Sequence, residues 1–178
     1  NGDVSALHAG LLGADVAKPT AQANRERSLS AITWSMVAKT SGMPLERHNV
    51  FFQNTYADEF EAIFNRKALP DKPTVYVCAQ DRGIDAPVPE EGERLLCLVN
   101  APAVGDQDVL THEAIEQCQH NSFQLLQQCG LQLHSTPSQI QRTTPIEFNR
   151  LFSGTGGALY GQATHGWMAA FALSVSYT

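Results

Sequence analysis

The stretch SAITWSMVAK, residues 30–39, alternates between apolar or small side chains and mostly polar ones. A period of two is typical of a β-strand that buries one face, because successive side chains in a strand point to opposite sides. The positions of the predicted buried face are Ile32, Trp34, Met36 and Ala38. This stretch therefore predicts a half-buried strand and makes a β-sheet the framework of the fold.

Two continuous apolar runs predict the centre of that sheet. They read TVYVCA at residues 74–79 and LLCLVNA at residues 95–101. Runs of this kind are typical of strands that are covered on both faces. Shorter strands are predicted for residues 48–53 and 131–134.

Helical signals are interspersed with these strands. Residues 57–67 have the apolar spacing of an amphipathic helix, and residues 108–129 form a long, mainly polar segment that a glycine follows. Thr144, followed by Pro145 and then by Glu147, has the capping-box pattern of a helix start. Because strands and helices alternate without the regular spacing of a doubly wound fold, we predict an α+β fold with a mixed β-sheet and flanking helices.

Composition narrows the classes of function. The chain has 178 residues, of which 43% are hydrophobic and 17% charged, and its net charge is −6. That length suffices for one domain with its own core. The negative charge and the scattered Lys and Arg residues argue against a nucleic-acid partner.

The sequence also bears on location. It has no run of 18 apolar residues that would predict a membrane-spanning helix, so a cytoplasmic location is the default expectation. The first residue is Asn rather than Met and no signal peptide precedes it. We therefore expect the amino terminus to be internal to a longer gene product.

The four cysteines are predicted to be free. None belongs to a CxxC pair or has a histidine at zinc-finger spacing. Cys78 and Cys97 lie within apolar runs, where a free cysteine behaves as a small buried hydrophobe. Cys118 and Cys129 are about three helical turns apart, which predicts one buried stripe. Two disulfides are the alternative, although nothing marks the chain as secreted.

A candidate metal-binding set lies on the long polar helix. His112, Glu116 and His120 are spaced four residues apart, which places them on one face. Their motif is HExxE and departs from the HExxH of zinc proteases. A solvated polar face is the favoured interpretation, and no metal is predicted. No GxSxG nucleophile elbow is present, and no catalytic set stands out.

A dense stretch near the end of the chain reads TTPIEFNRLFSGTGGALYGQATHGW, residues 143–167. Its glycines do not match a dinucleotide fingerprint, because Leu159 stands at the sixth position, and no lysine is available for a P-loop. They follow a predicted helix, which favours a helix C-cap and close backbone packing. His165 and Trp167 leave two interpretations open, a ligand-pocket wall or a structural histidine beside a core tryptophan.

Several segments resemble the carotenoid (phytoene-type) desaturases. NGDVSAL at residues 1–7 is similar to the Asn-Ala-Asp segment that ends a strand of their flavin domain, and LLG follows at residues 11–13. TVYVCAQDR and LLCLVNAP, which begin at the two central runs, are similar to their middle part. Residues 143–171 look most like the hydroxyneurosporene or methoxyneurosporene dehydrogenases of photosynthetic bacteria. The resemblance covers nearly the whole chain.

The resemblance implies an FAD-dependent oxidoreductase of the amine-oxidase type, in which a substrate-binding domain interrupts a Rossmann-like flavin domain. It implies introduction of a C-3,4 double bond into a hydroxyneurosporene-type acyclic carotenoid. The family's GxGxxG and His-Pro-Gly elements have no counterpart in the sequence. The chain is therefore expected to be the middle of such an enzyme and not to hold FAD tightly alone. Residues 1–15 would be the edge of the flavin domain, residues 16–171 the substrate-binding domain and residues 172–178 an unassigned tail.

No catalytic side chain transfers from the family, because the flavin supplies the chemistry while the protein supplies orientation and a dry site. Asn1, Gly2 and Asp3 are the candidates for contact with the cofactor. The candidates for the carotenoid channel are flat or adaptable side chains. They are Trp34, Met36, Tyr160, His165 and Trp167.

The expected partner is an apolar carotenoid, with peripheral contact at the inner membrane and an open oligomeric state. Two other interpretations remain. One is the substrate domain of another amine-oxidase-type flavoprotein, retinol-saturase-like or protoporphyrinogen-oxidase-like. The other is a non-catalytic lipid- or pigment-binding module.

Overall fold

Strand β1, Ser30–Gly42, is the longest strand of a six-stranded sheet and pairs with three neighbours. The computed structural model describes residues 6, 10–13, 27–83 and 88–160. After β1, the elements in chain order are β2 (His48–Phe51), helix α1 (Tyr56–Phe60) with a π-helical continuation (Glu61–Asn65), β3 (Val75–Ala79), β4 (Glu93–Ala101), α2 (His112–Gln128), β5 (Leu131–His134), a 3-10 turn (Pro137–Gln139), β6 (Ile140–Thr143) and α3 (Pro145–Leu151).

The strand order is β2-β3-β4-β1-β5, and β6 also pairs with β1. Strands β5 and β6 share one edge of β1, with β6 against residues 33–36 and β5 against residues 39–42. Each strand pair in the described residues is antiparallel. The predicted α+β class, with a sheet and flanking helices, is confirmed.

One face of the sheet, here called the core face, packs against α2. Trp34, Val77 and Cys97 are fully buried on it. The Trp34 ring meets Phe123 of α2 edge to face, with ring centroids 5.5 Å apart. Its Nε1–H donates to Oε1 of Gln119, 2.9 Å away. The buried indole therefore has both apolar contacts and a partner for its one polar group.

The predicted strands are confirmed, and β5 has the expected bounds. The expectation that the two central strands are covered on both faces is wrong. In β3 and β4, buried residues alternate with half-buried or exposed ones, so only one face is closed. Strand β6 was not predicted, because its sequence IQRT is polar and its residues are half-buried or exposed. Pairing with β1, rather than composition, makes it a strand.

The helices follow their predicted signals closely. The backbone N–H of Thr144 donates to the Glu147 carboxylate at 2.8 Å, which confirms the capping box at the start of α3. Helix α2 starts after Thr111, whose Oγ1 accepts from the N–H of Ala114 at 3.1 Å. The predicted helix over residues 57–67 starts as α1 but continues with π-helical hydrogen bonds, which apolar spacing does not distinguish from α-helical ones.

The four cysteines are free. Cys97 and Cys118 are buried, and burial raises the pKa of each thiol to about 12. Cys78 is half-buried. The predicted stripe is wrong for Cys129, because this residue is the C-cap of α2 and is exposed.

Candidate functional site

The second face of the sheet is more exposed, and we call it the open face. It carries Val37, Val50, Tyr76, Leu96 and Leu98. The side chains of Val37 and Val50 are 43% and 49% exposed, and both leucines are half-buried. Apolar side chains that are grouped on one exposed surface indicate a binding site.

The strand register arranges the open face in two rows that cross the strands. From β2 to β6, the first row is Val50, Tyr76, Leu98, Thr33 and Thr143. The second row is His48, Cys78, Leu96, Ser35 and Gln141. Because neighbouring strands are about 4.8 Å apart, each row is roughly 20 Å long. Both rows are apolar at β4 and become polar toward β6.

An aromatic ladder adjoins the open face at the end of β2. It consists of Phe52, Tyr56, Phe60 and Phe64. Phe52 directly follows β2, and the other three are four residues apart along α1 and its continuation. Successive ring centroids are 5.8, 5.1 and 6.2 Å apart. Phe52 is 61% and Tyr56 48% exposed. The ladder therefore presents aromatic surface to solvent along its first half.

The far end of the ladder reaches a cavity of about 300 Å³. Phe64 lines this cavity together with Pro102, Ala103 and Arg27. Arg27 is held by a bidentate ion pair with Asp106, both bonds being 2.7 Å long, and also donates to the carbonyl oxygen of Ala103 at 3.1 Å. The hydrogen bonds from Arg27 lower the pKa of Asp106. This arginine therefore serves the structure of the cavity wall.

A hydrogen-bonded pair of aromatic residues lies on the open face. Oη of Tyr76 and Nδ1 of His48 are 2.7 Å apart. The two rings stack, with centroids 6.1 Å apart and an interplanar angle of 16°. Burial, followed by the effect of Cys78, raises the pKa of Tyr76 above its ordinary value. The phenol therefore stays protonated at neutral pH.

The glycines after α3 have a packing role. Gly156 and Gly157 have φ angles of 64° and 84°, in the left-handed region. A side chain at Gly156 would overlap the guanidinium of Arg27, and one at Gly157 would overlap the carbonyl oxygen of Pro145. The prediction of close backbone packing is confirmed. The prediction that the glycines cap the helix is wrong, because Phe152 is the C-cap of α3 and the glycines lie in the turn that follows. A flavin diphosphate site needs a strand, a glycine turn and a helix start. The glycine turn after α3 therefore does not have the arrangement of a flavin diphosphate site.

Three of the sequence-predicted site residues lie in the described part of the chain, two on the core face and one at the end of that part. Trp34 and Met36 lie on the core face, where they are 0% and 5% exposed. Tyr160 is 70% exposed at the end of the described part, and its carbonyl oxygen accepts a hydrogen bond from Ser28. The remaining candidates lie outside the described residues: Asn1, Gly2, Asp3, His165 and Trp167.

The polar face of α2 is occupied by ion pairs. Glu116 contacts Arg142 of β6 at 2.5 Å and His112 at 3.5 Å. The hydrogen bond from Arg142 is the main reason that the pKa of Glu116 is lowered. Within the part of the chain that the structure describes, no group of three potential ligands could hold a metal ion.

Comparison with known proteins gives close relatives, although no family model matches. Hydroxyneurosporene desaturase of Rubrivivax gelatinosus is 53% identical over 177 residues, which is 96% of this chain and 33% of that protein. The chain is a homologue of the carotenoid desaturases. The hydroxyneurosporene desaturase of Rhodobacter capsulatus is 40% identical over 96% of the chain and 34% of its own length. The 1-hydroxycarotenoid 3,4-desaturase of a Flavobacterium species is 30% identical over 88% of the chain and 32% of its own length.

This carotenoid desaturase homologue spans about a third of the length of the curated relatives it matches. The resemblance stated from the sequence is confirmed. Among its described residues, no helix combines the length and the apolar character needed to cross a bilayer.

Sequence reasoning missed the open face and the aromatic ladder as candidate site surfaces. Both had signals. The ladder is visible as aromatic residues at positions 52, 56, 60 and 64, a spacing of four. In LLCLVNA, the alternation of burial in β4 shows that Leu96 and Leu98 point away from the core. The apolar run conceals this alternation, because both faces carry hydrophobic side chains.

Proposed function

We propose that this chain is the substrate-binding part of an FAD-dependent carotenoid desaturase and that its open face and aromatic ladder bind the polyene. The observation that carries this proposal is the 53% identity to a hydroxyneurosporene desaturase over 96% of the chain. Residues 16–171 are the proposed substrate-binding domain, with residues 1–15 at the edge of the flavin domain.

The chemistry of the two surfaces supports a polyene ligand. A conjugated chain is long, flat and apolar, so it binds best to an extended apolar surface that includes aromatic rings. The open face supplies Leu96, Leu98 and the exposed valines, and the ladder supplies four rings. A polyene that lies along them removes this apolar surface from water.

The proposed reaction is the introduction of a C-3,4 double bond into a hydroxylated acyclic carotenoid. The names of the relatives support it, since one of them is a 1-hydroxycarotenoid 3,4-desaturase. The reaction removes two hydrogens, and the proposed acceptor is FAD held by parts of the whole protein outside the described residues. Contact with the membrane that dissolves the substrate is proposed to be peripheral.

The test uses the complete protein that contains this chain. We expect it to purify with a flavin absorbance spectrum and to convert hydroxyneurosporene into a product with one more double bond, measured by chromatography and mass. A protein that binds a carotenoid but never desaturates it would instead support the pigment-binding alternative. Conversion of porphyrinogen or retinol, with acyclic carotenoids left unchanged, would support the other flavoproteins.

A matched pair of valines tests the open face. Val50 on the open face and Val109 before α2 are 49% and 51% exposed. We expect Val50→Glu to lower kcat/KM for the carotenoid by roughly tenfold or more, because the bound polyene would desolvate the new carboxylate. Val109→Glu should leave kcat/KM within about twofold. Equal effects of the two variants would show that the polyene does not lie on the open face.

A further inference from the structure

A polar pair interrupts the apolar surface of the open face. Tyr76 lies in the first row between Val50 and Leu98, and His48 lies in the second row beside Cys78. Tyr76 is half-buried, and its Oη meets Nδ1 of His48 at 2.7 Å. An apolar ligand on these rows would therefore pass directly over a phenol oxygen.

The other polar members of the rows lie on β1 and β6, and they are Thr33, Ser35, Gln141 and Thr143. Closer to the apolar part of the rows, the side chains of Asn100 and Arg94 on β4 are bound to carboxylates. Nδ2 of Asn100 donates to Glu59 at 2.9 Å. The Arg94 guanidinium donates through Nε to Asp81 at 2.8 Å, and its backbone N–H donates to the same carboxylate at 2.7 Å. These bonds compete with a ligand for both donors. Tyr76 differs, because a phenol oxygen has one proton and two lone pairs, and its contacts with His48 and Cys78 leave one of these three positions for a ligand.

We propose that Tyr76, positioned by His48, binds the hydroxyl group of a hydroxylated acyclic carotenoid and makes the enzyme selective for hydroxylated polyenes. This inference rests on the proposed function and adds the group that recognises the substrate. Tyr76 contacts the substrate, whereas His48 acts through Tyr76 and is a positioning residue.

Both tautomers of His48 are compatible with this role. When Oη–H donates to Nδ1, the phenol oxygen accepts the O–H of the substrate. When Nδ1–H donates to Oη, the phenol proton turns to the oxygen of the substrate. A hydroxyl group can act as donor or acceptor, so it fits either arrangement. The raised pKa of Tyr76 keeps the phenol proton in place for both.

The physical basis of selectivity is the cost of an unpaired polar group. A hydroxyl that enters an apolar site without a partner loses its hydrogen bonds to water and gains none in return, so its binding is weakened. A site that offers a partner therefore favours the hydroxylated substrate, and a site without one favours the substrate that lacks the hydroxyl. Removal of the phenol oxygen should thus change the ratio between two substrates.

The experiment compares hydroxyneurosporene with the same polyene lacking the hydroxyl, using the complete flavin-loaded protein. We expect the wild type to prefer the hydroxylated substrate. Tyr76→Phe should lower kcat/KM for that substrate by roughly tenfold, mainly through KM, and leave kcat/KM for the other substrate unchanged. The selectivity is the kcat/KM for the hydroxylated substrate divided by that for the other substrate. His48→Ala should lower this ratio by a smaller factor than Tyr76→Phe does.

His112→Ala is the matched control, because His112 is an exposed histidine on α2, which packs on the core face. It should leave the substrate ratio unchanged. An unchanged ratio in Tyr76→Phe, or an equal loss on both substrates, would overturn the role of Tyr76 while leaving the proposed function intact. A wild type that desaturates neither polyene would overturn both.

Discussion

At the scale of single residues, Glu93 shows how a buried charge is held. Its side chain is 1% exposed, and Arg82 binds it through two hydrogen bonds of 2.7 Å. Oγ1 of Thr40 donates a third at 2.7 Å. The hydrogen bonds from Arg82, followed by that from Thr40, lower the pKa of Glu93 below its ordinary value. Its stabilisation is therefore complete above the unfolded-state pKa and is lost as pH falls through the folded-state pKa.

We expect Glu93→Gln to lower the free energy of unfolding by about 3 kcal/mol at neutral pH, because Arg82 loses its charged partner. The variant should also lose less stability than the wild type when pH falls below about 4, since it lacks this carboxylate. Urea unfolding of the complete protein at both pH values measures this. Glu116→Gln is the control: Glu116 is 48% exposed, and its loss should cost less than about 1 kcal/mol. If Glu93→Gln lowered the free energy of unfolding at neutral pH as little as Glu116→Gln does, the expectation would be wrong.

At the scale of elements, two glycines in the turns that follow helices have similar backbone angles and different surroundings. Gly130 after α2 and Gly157 after α3 have φ angles of 86° and 84°. The nearest atom to a side chain at Gly130 would be Cβ of Met43 at 4.0 Å, whereas a side chain at Gly157 would overlap the backbone of Pro145. Both positions therefore need a left-handed backbone, but only Gly130 has room for a side chain.

An alanine at each position separates these two effects. Gly130→Ala should cost about 1 kcal/mol, the price of placing a side chain on a left-handed backbone. Gly157→Ala should cost clearly more, because the backbone at the start of α3 must also move. Thermal unfolding of the two variants gives the comparison. Similar melting temperatures of the two variants would show that the turn after α3 can accommodate a side chain at position 157, despite its closeness to Pro145.

At the scale of the whole molecule, the two faces of the sheet have different roles. The core face holds Trp34 against Phe123 and Gln119, and the open face is the proposed binding surface. We expect Trp34→Phe to lower the free energy of unfolding by about 2 kcal/mol, through lost packing and the lost hydrogen bond to Gln119. The KM for the carotenoid should stay unchanged. A raised KM with unchanged stability would support the sequence-based prediction that Trp34 contacts the substrate.

Much of the fold could be predicted because its signals are local. Alternation identified β1, the capping box identified α3, and both ends of β5 were predicted correctly. The features that were not predicted share a cause, because residues nearby in the sequence do not determine them. Strand β6 depends on its pairing with β1, and the exposure of Cys129 depends on where α2 ends. The open face could not be predicted as a candidate surface, since apolar residues of both sheet faces look alike in a run such as LLCLVNA.

The sequence by itself determined the class of fold, the positions that alternate between the two faces, and the kinship with carotenoid desaturases. Only the tertiary structure decided which face is open and which residues meet on it. His48 and Tyr76 are 28 positions apart and become neighbours through the pairing of β2 with β3. The reason is physical: hydrogen bonds between distant strands set the register, and a shift of one residue would send each side chain to the opposite face.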